Sequence, residues 1–331
     1  MRIVLGTDDG LSLIRWLAGE RAGTVVSREF EGYRVTALAG SPGSLYAVIP
    51  DLGVHRSDDG GGSWARLASL SSGIKPLVLS LLPSGDLLVG TEPAGLSRST
   101  DAGASWANLP GFGRLGETET WSDYGNRSAH VQALAFDAHD ATRLYAGVEI
   151  GGAYRSDDNG ATWVGVNDGV YDDIHDIAVD PRDGSRLFAA TGGGLYVSID
   201  RGADWRPASG EVGEKYCTRL LAVSRSRAAD TSETLFLVGT AEGPPSTWGK
   251  LDSKAGGLLW ISRDSGSTWA DLGPKGLKGG SPATALASDS ADPASVLVGT
   301  SSGSLVHGNL VDDRWHRLLY GMGAVNAILV A

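Results

Sequence analysis

Cysteine is all but missing from this sequence. Cys217 is the only one in 331 residues, so no intrachain disulfide can form. That scarcity fits a reducing compartment. Positive charge is also short: 28 Lys and Arg stand against 39 Asp and Glu, a formal net charge of −11. Without a basic stripe the chain is a poor match for a phosphate backbone or an anionic membrane surface, which argues against nucleic acid and membrane partners. No apolar run approaches the ~18 residues of a membrane-spanning helix. Met1-Arg2-Ile3-Val4-Leu5-Gly6-Thr7 passes straight into a strand pattern with no apolar leader, so the expected location is cytoplasmic. A nucleotide-binding fingerprint, a nucleophile elbow and zinc-ligand spacing are all missing, so neither cofactor nor metal is expected. Gly60-Gly61-Gly62 and Gly192-Gly193-Gly194 read as turns, because no strand-to-helix context follows them.

What the chain has in excess is glycine, at 48 residues, and tryptophan, at 10. Both fall into a repeated motif, Ser-x-Asp-x-Gly-x-Ser/Thr-Trp. Its five copies run over residues 57–64, 99–106, 156–163, 198–205 (with Asp204 in the Ser/Thr slot) and 262–269. The motif aspartates are Asp59, Asp101, Asp158, Asp200 and Asp264. The tryptophans are Trp64, Trp106, Trp163, Trp205 and Trp269. The Gly supplies a positive φ for a tight turn, Ser and Asp can hold turn amides, and the Trp packs into the next layer. Repetition at this interval means radially repeated structure.

Each motif follows an apolar run that ends in Gly-Thr or a relative of it. Examples are Leu87-Leu88-Val89-Gly90-Thr91 and Val296-Leu297-Val298-Gly299-Thr300. These read as second strands, with inner strands upstream at 35–39, 77–81, 131–136, 175–179, 218–223 and 283–287. The C-terminal 325–329 reads as another inner strand and the N-terminal 3–7 as its second strand, so the two ends join into one blade. The expected fold is all-β, a seven-bladed propeller of four-stranded antiparallel blades in one domain of residues 1–331. The blades cover 33–73, 74–129, 130–173, 174–215, 216–281, 282–322, and 323–331 with 1–32. Closing the ring removes free sheet edges. A six-bladed ring is the alternative if the ends do not pair. Trp315 and Trp16 fill the motif Trp place in the two degenerate units.

The motif resembles the Asp-box, or BNR, repeat of sialidases, sortilin-type receptors and many bacterial propellers, where the boxes lie away from the active site. The sialidase resemblance implies an arginine triad. Tyr33-Arg34-Val35-Thr36 offers one Arg, without the Pro of that family. Residues 144–156 resemble a segment of xyloglucan-degrading endoglucanases, in which two facing propellers each give a catalytic Asp. The whole chain also resembles the single-propeller photosystem II assembly factors, which implies a ring that binds a polypeptide partner.

Strand order places inner-strand starts and second-to-third-strand loops on one face, the top, and the motifs on the bottom. The long insertions lie on top: 110–129, with Trp121, Tyr124 and Arg127, and 242–257, with Trp248. Long loops in a compact fold often carry function. Aligning the inner strands sets Thr36, Val78, Gln132, Asp176, Arg219, Thr284 and Asn326 at one position, a mostly polar ring around the axis in which Asp176 and Arg219 can pair. Beside it, Tyr171-Asp172-Asp173-Ile174-His175-Asp176 is the densest ionisable cluster, with His130, Glu149, Arg34 and Tyr216 near the same rim.

Two functions follow. The first is a propeller, monomeric or weakly oligomeric, that binds a glycan, peptide or protein on its top face. Trp121, Tyr124 and Trp248 would stack on the ligand, with Arg34, Arg127, His130, Gln132, Tyr216, Arg219 and Asn326 around it. The second is a glycoside hydrolase or lyase that pairs Asp173 or Asp176 with Glu149, tuned by His175.

Overall fold

The computed structural model describes residues 1–17, 19–41, 43–115, 121, 128–227, 231–248, 255–273, 277 and 280–331. Second strands such as Leu87–Glu92 and Ser295–Thr300 are buried almost throughout. Apolar on both faces, each must be covered on both sides, and stacking blade against blade does this. The strands form seven four-stranded antiparallel sheets. Six take their strands consecutively. The seventh is ordered Val325–Val330, Arg2–Thr7, Gly10–Arg15, Thr24–Glu29, so both ends of the chain share it. The inner strands touch in succession and the last returns to the first. The fold is a seven-bladed β-propeller, and among the described residues helix is confined to single turns such as Pro110–Gly113.

The recurrent Gly of the second strand has a steric cause. A Cβ at Gly90 would stand 2.5 Å from Val131 Cγ1 in the next blade and 2.6 Å from Val78 Cγ1 in its own. Gly147 meets Ile174 in the same way, and Gly299 meets Val325. Missing side chains let the next inner strand press its β-branched residue into the sheet. In the fourth blade Ala190 holds this position, and the fifth blade places the smaller Cys217 in the same core cluster.

The five motifs fold alike. The Ser hydroxyl donates to the Asp carboxylate at 2.7–2.9 Å and accepts the Gly amide at 2.7–2.8 Å. The carboxylate also accepts the backbone N–H of the seventh residue at 2.8–3.0 Å. The motif Gly has φ between 82° and 93°, and the residue before it is left-handed too, as at Asn159, Arg201 and Ser265. Those three carbonyls are then taken by the preceding blade. Arg98 donates to Asn159 O, Arg155 to Arg201 O and Arg186 to Ser265 O, while Arg263 reaches Leu310 O in the sixth blade. Four arginines thus bridge the second to sixth blades along the bottom.

The motif tryptophans reach backwards rather than forwards. The indole N–H of Trp106 donates to Ala68 O and that of Trp205 to Val166 O, both in the preceding blade. Trp16 also differs from its expected place. It follows the third strand of the seventh blade instead of opening the fourth, because the turn there has no Ser-x-Asp to tighten it. Trp315 does lie in the outer strand, Arg314–Leu319.

Candidate functional site

The polar ring needs one correction. In six blades the pairing of first and second strands slips by a residue near the top, and the slipped residues are Leu77, Gln132, His175, Thr218, Thr284 and Asn326. Val78, Asp176 and Arg219 therefore sit one step further along than Thr36, Gln132, Thr284 and Asn326. A bulge adds a residue that alignment by hydrophobic pattern cannot see.

The bulged side chains join the blades. Thr218 Oγ1 donates to Ala283 O at 2.6 Å, Thr284 Oγ1 to Val325 O, and Asn326 Nδ2 to Val35 O at 3.2 Å. His175 Nδ1 lies 2.6 Å from Cys217 O, in the same role. Each crosses to a carbonyl at or beside the start of the next inner strand. Gln132 is half-buried on its bulge.

At His175 this staple carries further chemistry. A carbonyl can only accept, so Nδ1 holds a proton and Nε2 is left for other partners. The Tyr216 hydroxyl lies 3.2 Å from Nε2, and the two rings pack at 4.7 Å between centroids. Asp173 Oδ2 lies 3.3 Å from the same nitrogen. When the imidazole is neutral, Nε2 accepts from Tyr216. When it is protonated, Nε2–H faces Asp173. Burial pushes the Tyr216 phenol up, the charges of Asp173 and Glu149 add to it and Arg219 opposes, so the hydroxyl keeps its proton. Asp173 Oδ1 is buried with no partner. Gly192 leaves room for this carboxylate, and a Cβ at Gly193 would stand 2.6 Å from the Tyr171 ring.

The neighbouring third blade adds a second pair. His130 Nε2 lies 3.0 Å from Glu149 Oε2, the two residues facing each other across the first and second strands. Burial pushes the His130 pKa down. The hydrogen bond and charge of Glu149 outweigh it, helped by the Ser128 carbonyl, and hold the imidazole above its ordinary value. The Gly151 and Gly152 amides donate to Asp172 O at 3.1 and 2.9 Å, fastening this loop beside Asp173.

Asp176 and Arg219 do not form an ion pair among the described residues. Asp176 accepts the backbone N–H groups of Ile177 and Leu220, both at 3.0 Å. The Arg219 guanidinium donates to His175 O and Thr218 O. Burial raises the Asp176 carboxyl above the usual range, against the pull of Arg219 and the two amides. Its oxygens are spent on backbone, unlike those of a carboxylate free to meet a substrate.

The expected stacking surfaces are partly used up. Trp121 is half-buried, donates to the Tyr154 hydroxyl at 2.6 Å and packs on Phe112 and Tyr154. It is a wedge in an aromatic cluster more than a free platform. Trp248 is half-buried and donates to Gly243 O. Tyr124 and Arg127 lie outside the described residues. Arg34 is exposed and pairs with Asp8 at 3.3 Å, and Asp8 also accepts from Asn326 at 2.9 Å. Three tyrosines that precede inner strands are open: Tyr33 at 42% exposure, Tyr171 at 46% and Tyr320 at 78%. Tyr320 was not singled out from sequence, and its place just before an inner strand is the signal that marks it. Among the described residues no group of three or more His, Cys, Asp or Glu is placed to hold a metal ion.

No family model matches the chain. Among curated proteins, the xyloglucanase Xgh74A of Acetivibrio thermocellus is 26% identical over 166 residues, 45% of this chain and 18% of that protein. A xyloglucanase of a Paenibacillus species is 26% identical over 176 residues, 47% of this chain and 16% of the other. The chain thus spans less than a fifth of these relatives. Among solved structures, an ancestral GH74 enzyme has a TM-score of 0.64 at 17% identity, covering 86% of this chain and 38% of that one. YCF48 bound to D1 peptide has a TM-score of 0.59 at 17% identity, covering 89% and 83%. YCF48 from Cyanidioschyzon merolae has a TM-score of 0.59 at 18% identity, covering 92% of both chains. At these identities the structural likeness carries the propeller fold.

Proposed function

We propose that this chain is a single-ring binding propeller that takes an extended ligand, a peptide before a glycan, across its top face at the third to fifth blades. The observation that carries the reading is the row of paired, largely buried polar groups Glu149–His130, Asp173–His175 and Tyr216, whose partly exposed edges are flanked by the exposed ring of Tyr171. Acceptors, a protonated phenol and an aromatic face in one strip suit the amides and side chains of a polypeptide. The solved relatives of matching length support a single ring as the working unit, and one of them holds a peptide. The pairing of Glu149 with His130, and of Asp176 with two amides, speaks against a free acid and base.

Glycoside hydrolysis is the second reading. Its support is the raised Asp176 carboxyl together with the likeness to xyloglucanases. The test is a peptide array and a xyloglucan oligosaccharide panel, read for binding and for turnover, on the wild type, Tyr216→Phe and Asp173→Asn. Peptide binding weakened about tenfold in both variants, with no turnover, supports the proposal. Turnover of a xyloglucan oligosaccharide by the wild type overturns it in favour of the hydrolase.

A further inference from the structure

The blade that closes the ring is held on each side by a buried histidine. His55 and His307 occupy the same place in the third strands of the first and sixth blades, Gly53–Ser57 and Leu305–Asn309. In the second to fifth blades the equivalent residues are Ser97, Tyr154, Tyr196 and Trp260, none of which gains a proton in acid. The seventh blade docks one aromatic ring on each histidine. Trp16 packs on His307 at 4.6 Å between centroids, and Phe30 packs edge-on to His55 at 4.8 Å. Both imidazoles are buried, and the Nδ1 atom of each has no partner. The four arginine bridges of the bottom do not involve this blade.

We propose that His55 and His307 make the seventh blade an acid-released clasp, which loosens from both neighbours on protonation while the second to fifth blades stay closed.

A charged imidazole at either place would carry an Nδ1–H buried away from water; the neighbouring aromatic ring returns only part of that cost, and the remainder opens the contact. The surrounding groups favour the neutral form. Burial lowers the His55 pKa, the Gly53 carbonyl beside it pulls the other way, and Arg66 on the adjacent outer strand lowers it further. Burial likewise lowers that of His307, and His316 adds to this from the facing outer strand, its ring at 4.9 Å. Asp289, Asp292 and Asp312 oppose from the neighbouring turns but do not reverse the direction. His307 Nε2 is held by Ser295 Oγ at 2.7 Å.

The folded pKa values lie below the unfolded ~6.5, so the closed blade loses stability as pH falls below that value. Between pH 7.5 and 5.0 the opening constant rises by about 30-fold for each imidazole, and roughly 900-fold for both, when neither protonates in the closed state.

Hydrogen exchange read by mass spectrometry, corrected for intrinsic rates, tests this on the whole chain at pH 7.5 and 5.0. Peptides from residues 1–30 and 325–331 should lose protection at pH 5.0, by up to about 900-fold, while second-strand peptides of the second to fifth blades keep theirs. His55→Asn with His307→Gln should abolish the difference. Equal loss in all blades, or loss retained in the double variant, overturns the clasp. A wild-type histidine NMR titration covers a variant that fails to fold: both imidazoles should titrate below the ordinary value, and a midpoint at or above ~6.5 for either refutes the proposal.

Discussion

Gly90→Ala tests the way one blade seats on the next. The added methyl would meet Val131 Cγ1 at 2.5 Å, Val78 Cγ1 at 2.6 Å and Val131 Cβ at 2.7 Å. The last contact cannot be relieved by a rotamer, so the third blade's inner strand must shift. Overpacking of a filled core costs about 1–3 kcal/mol, and three contacts below 3 Å from two sides put this site at the upper end. Against that, Ala gains about 0.5–1 kcal/mol over Gly inside a strand. The net expectation is a loss of roughly 2 kcal/mol. Urea unfolding followed by tryptophan fluorescence should show a lower midpoint with an unchanged slope. In a double-mutant cycle with Val131→Ala, the two single losses should exceed the double loss by about 0.5–1 kcal/mol, a partial rescue because the Cβ of residue 131 remains. A Gly90→Ala protein as stable as the wild type would refute the steric account of the recurrent glycine.

The remaining expectations concern single interactions. Trp205→Phe leaves the buried Val166 carbonyl without its donor and should cost about 1–3 kcal/mol in the same assay. Ser156→Ala removes a buried hydroxyl that both donates to Asp158 and accepts the Gly160 amide, with an expected loss of about 1–2 kcal/mol. His130 should titrate above 6.5 by NMR, so its pairing with Glu149 stabilises the fold fully below 6.5 and fades as pH rises through the folded value. In Glu149→Gln the midpoint should fall, because only the Ser128 carbonyl and the charge of Glu92 then oppose burial. Hydrogen bonds from the Ser105 and Ser99 hydroxyls, and from the Ser105 amide, lower the Asp101 carboxyl to about 2. The stability it lends is present above the unfolded value near 4 and lost as pH falls towards 2, an acid step that circular dichroism should separate from any change near pH 6.

The ring was legible in the sequence because its signals are local. A Ser-x-Asp-x-Gly turn is held by bonds within eight residues, and the apolar run before it shows strand and burial at once. The join of 325–329 to 3–7 was readable because each matched one half of a repeat. The site was less so. His175, Asp173 and Tyr216 were noticed as ionisable or aromatic, but their meeting depends on a bulge that shifts the inner strand by one residue, and single-residue slips leave no trace in hydrophobic pattern. The expected Asp176–Arg219 pair is missing for a different reason: the backbone amides of Ile177 and Leu220 take the carboxylate. Trp121 reads as a platform because a long loop looks open in sequence; the rings that receive it are Phe112, at the start of the same insertion, and Tyr154, from a third strand, and spacing marks neither as its partner.

The arginine bridges along the bottom have a mechanical consequence. Three of the four tie a guanidinium to a carbonyl fixed in a left-handed turn, so those neighbouring blades share a stiff joint at that rim. On the other rim the side-chain links run from the fourth blade to the seventh, through histidine and threonine side chains on bulges that are shorter than a guanidinium arm. Blades hinged at one end splay at the other. Any breathing of the ring would therefore widen the face that carries the tyrosines and the His175 cluster, the side proposed to meet a ligand, and leave the motif side as its base.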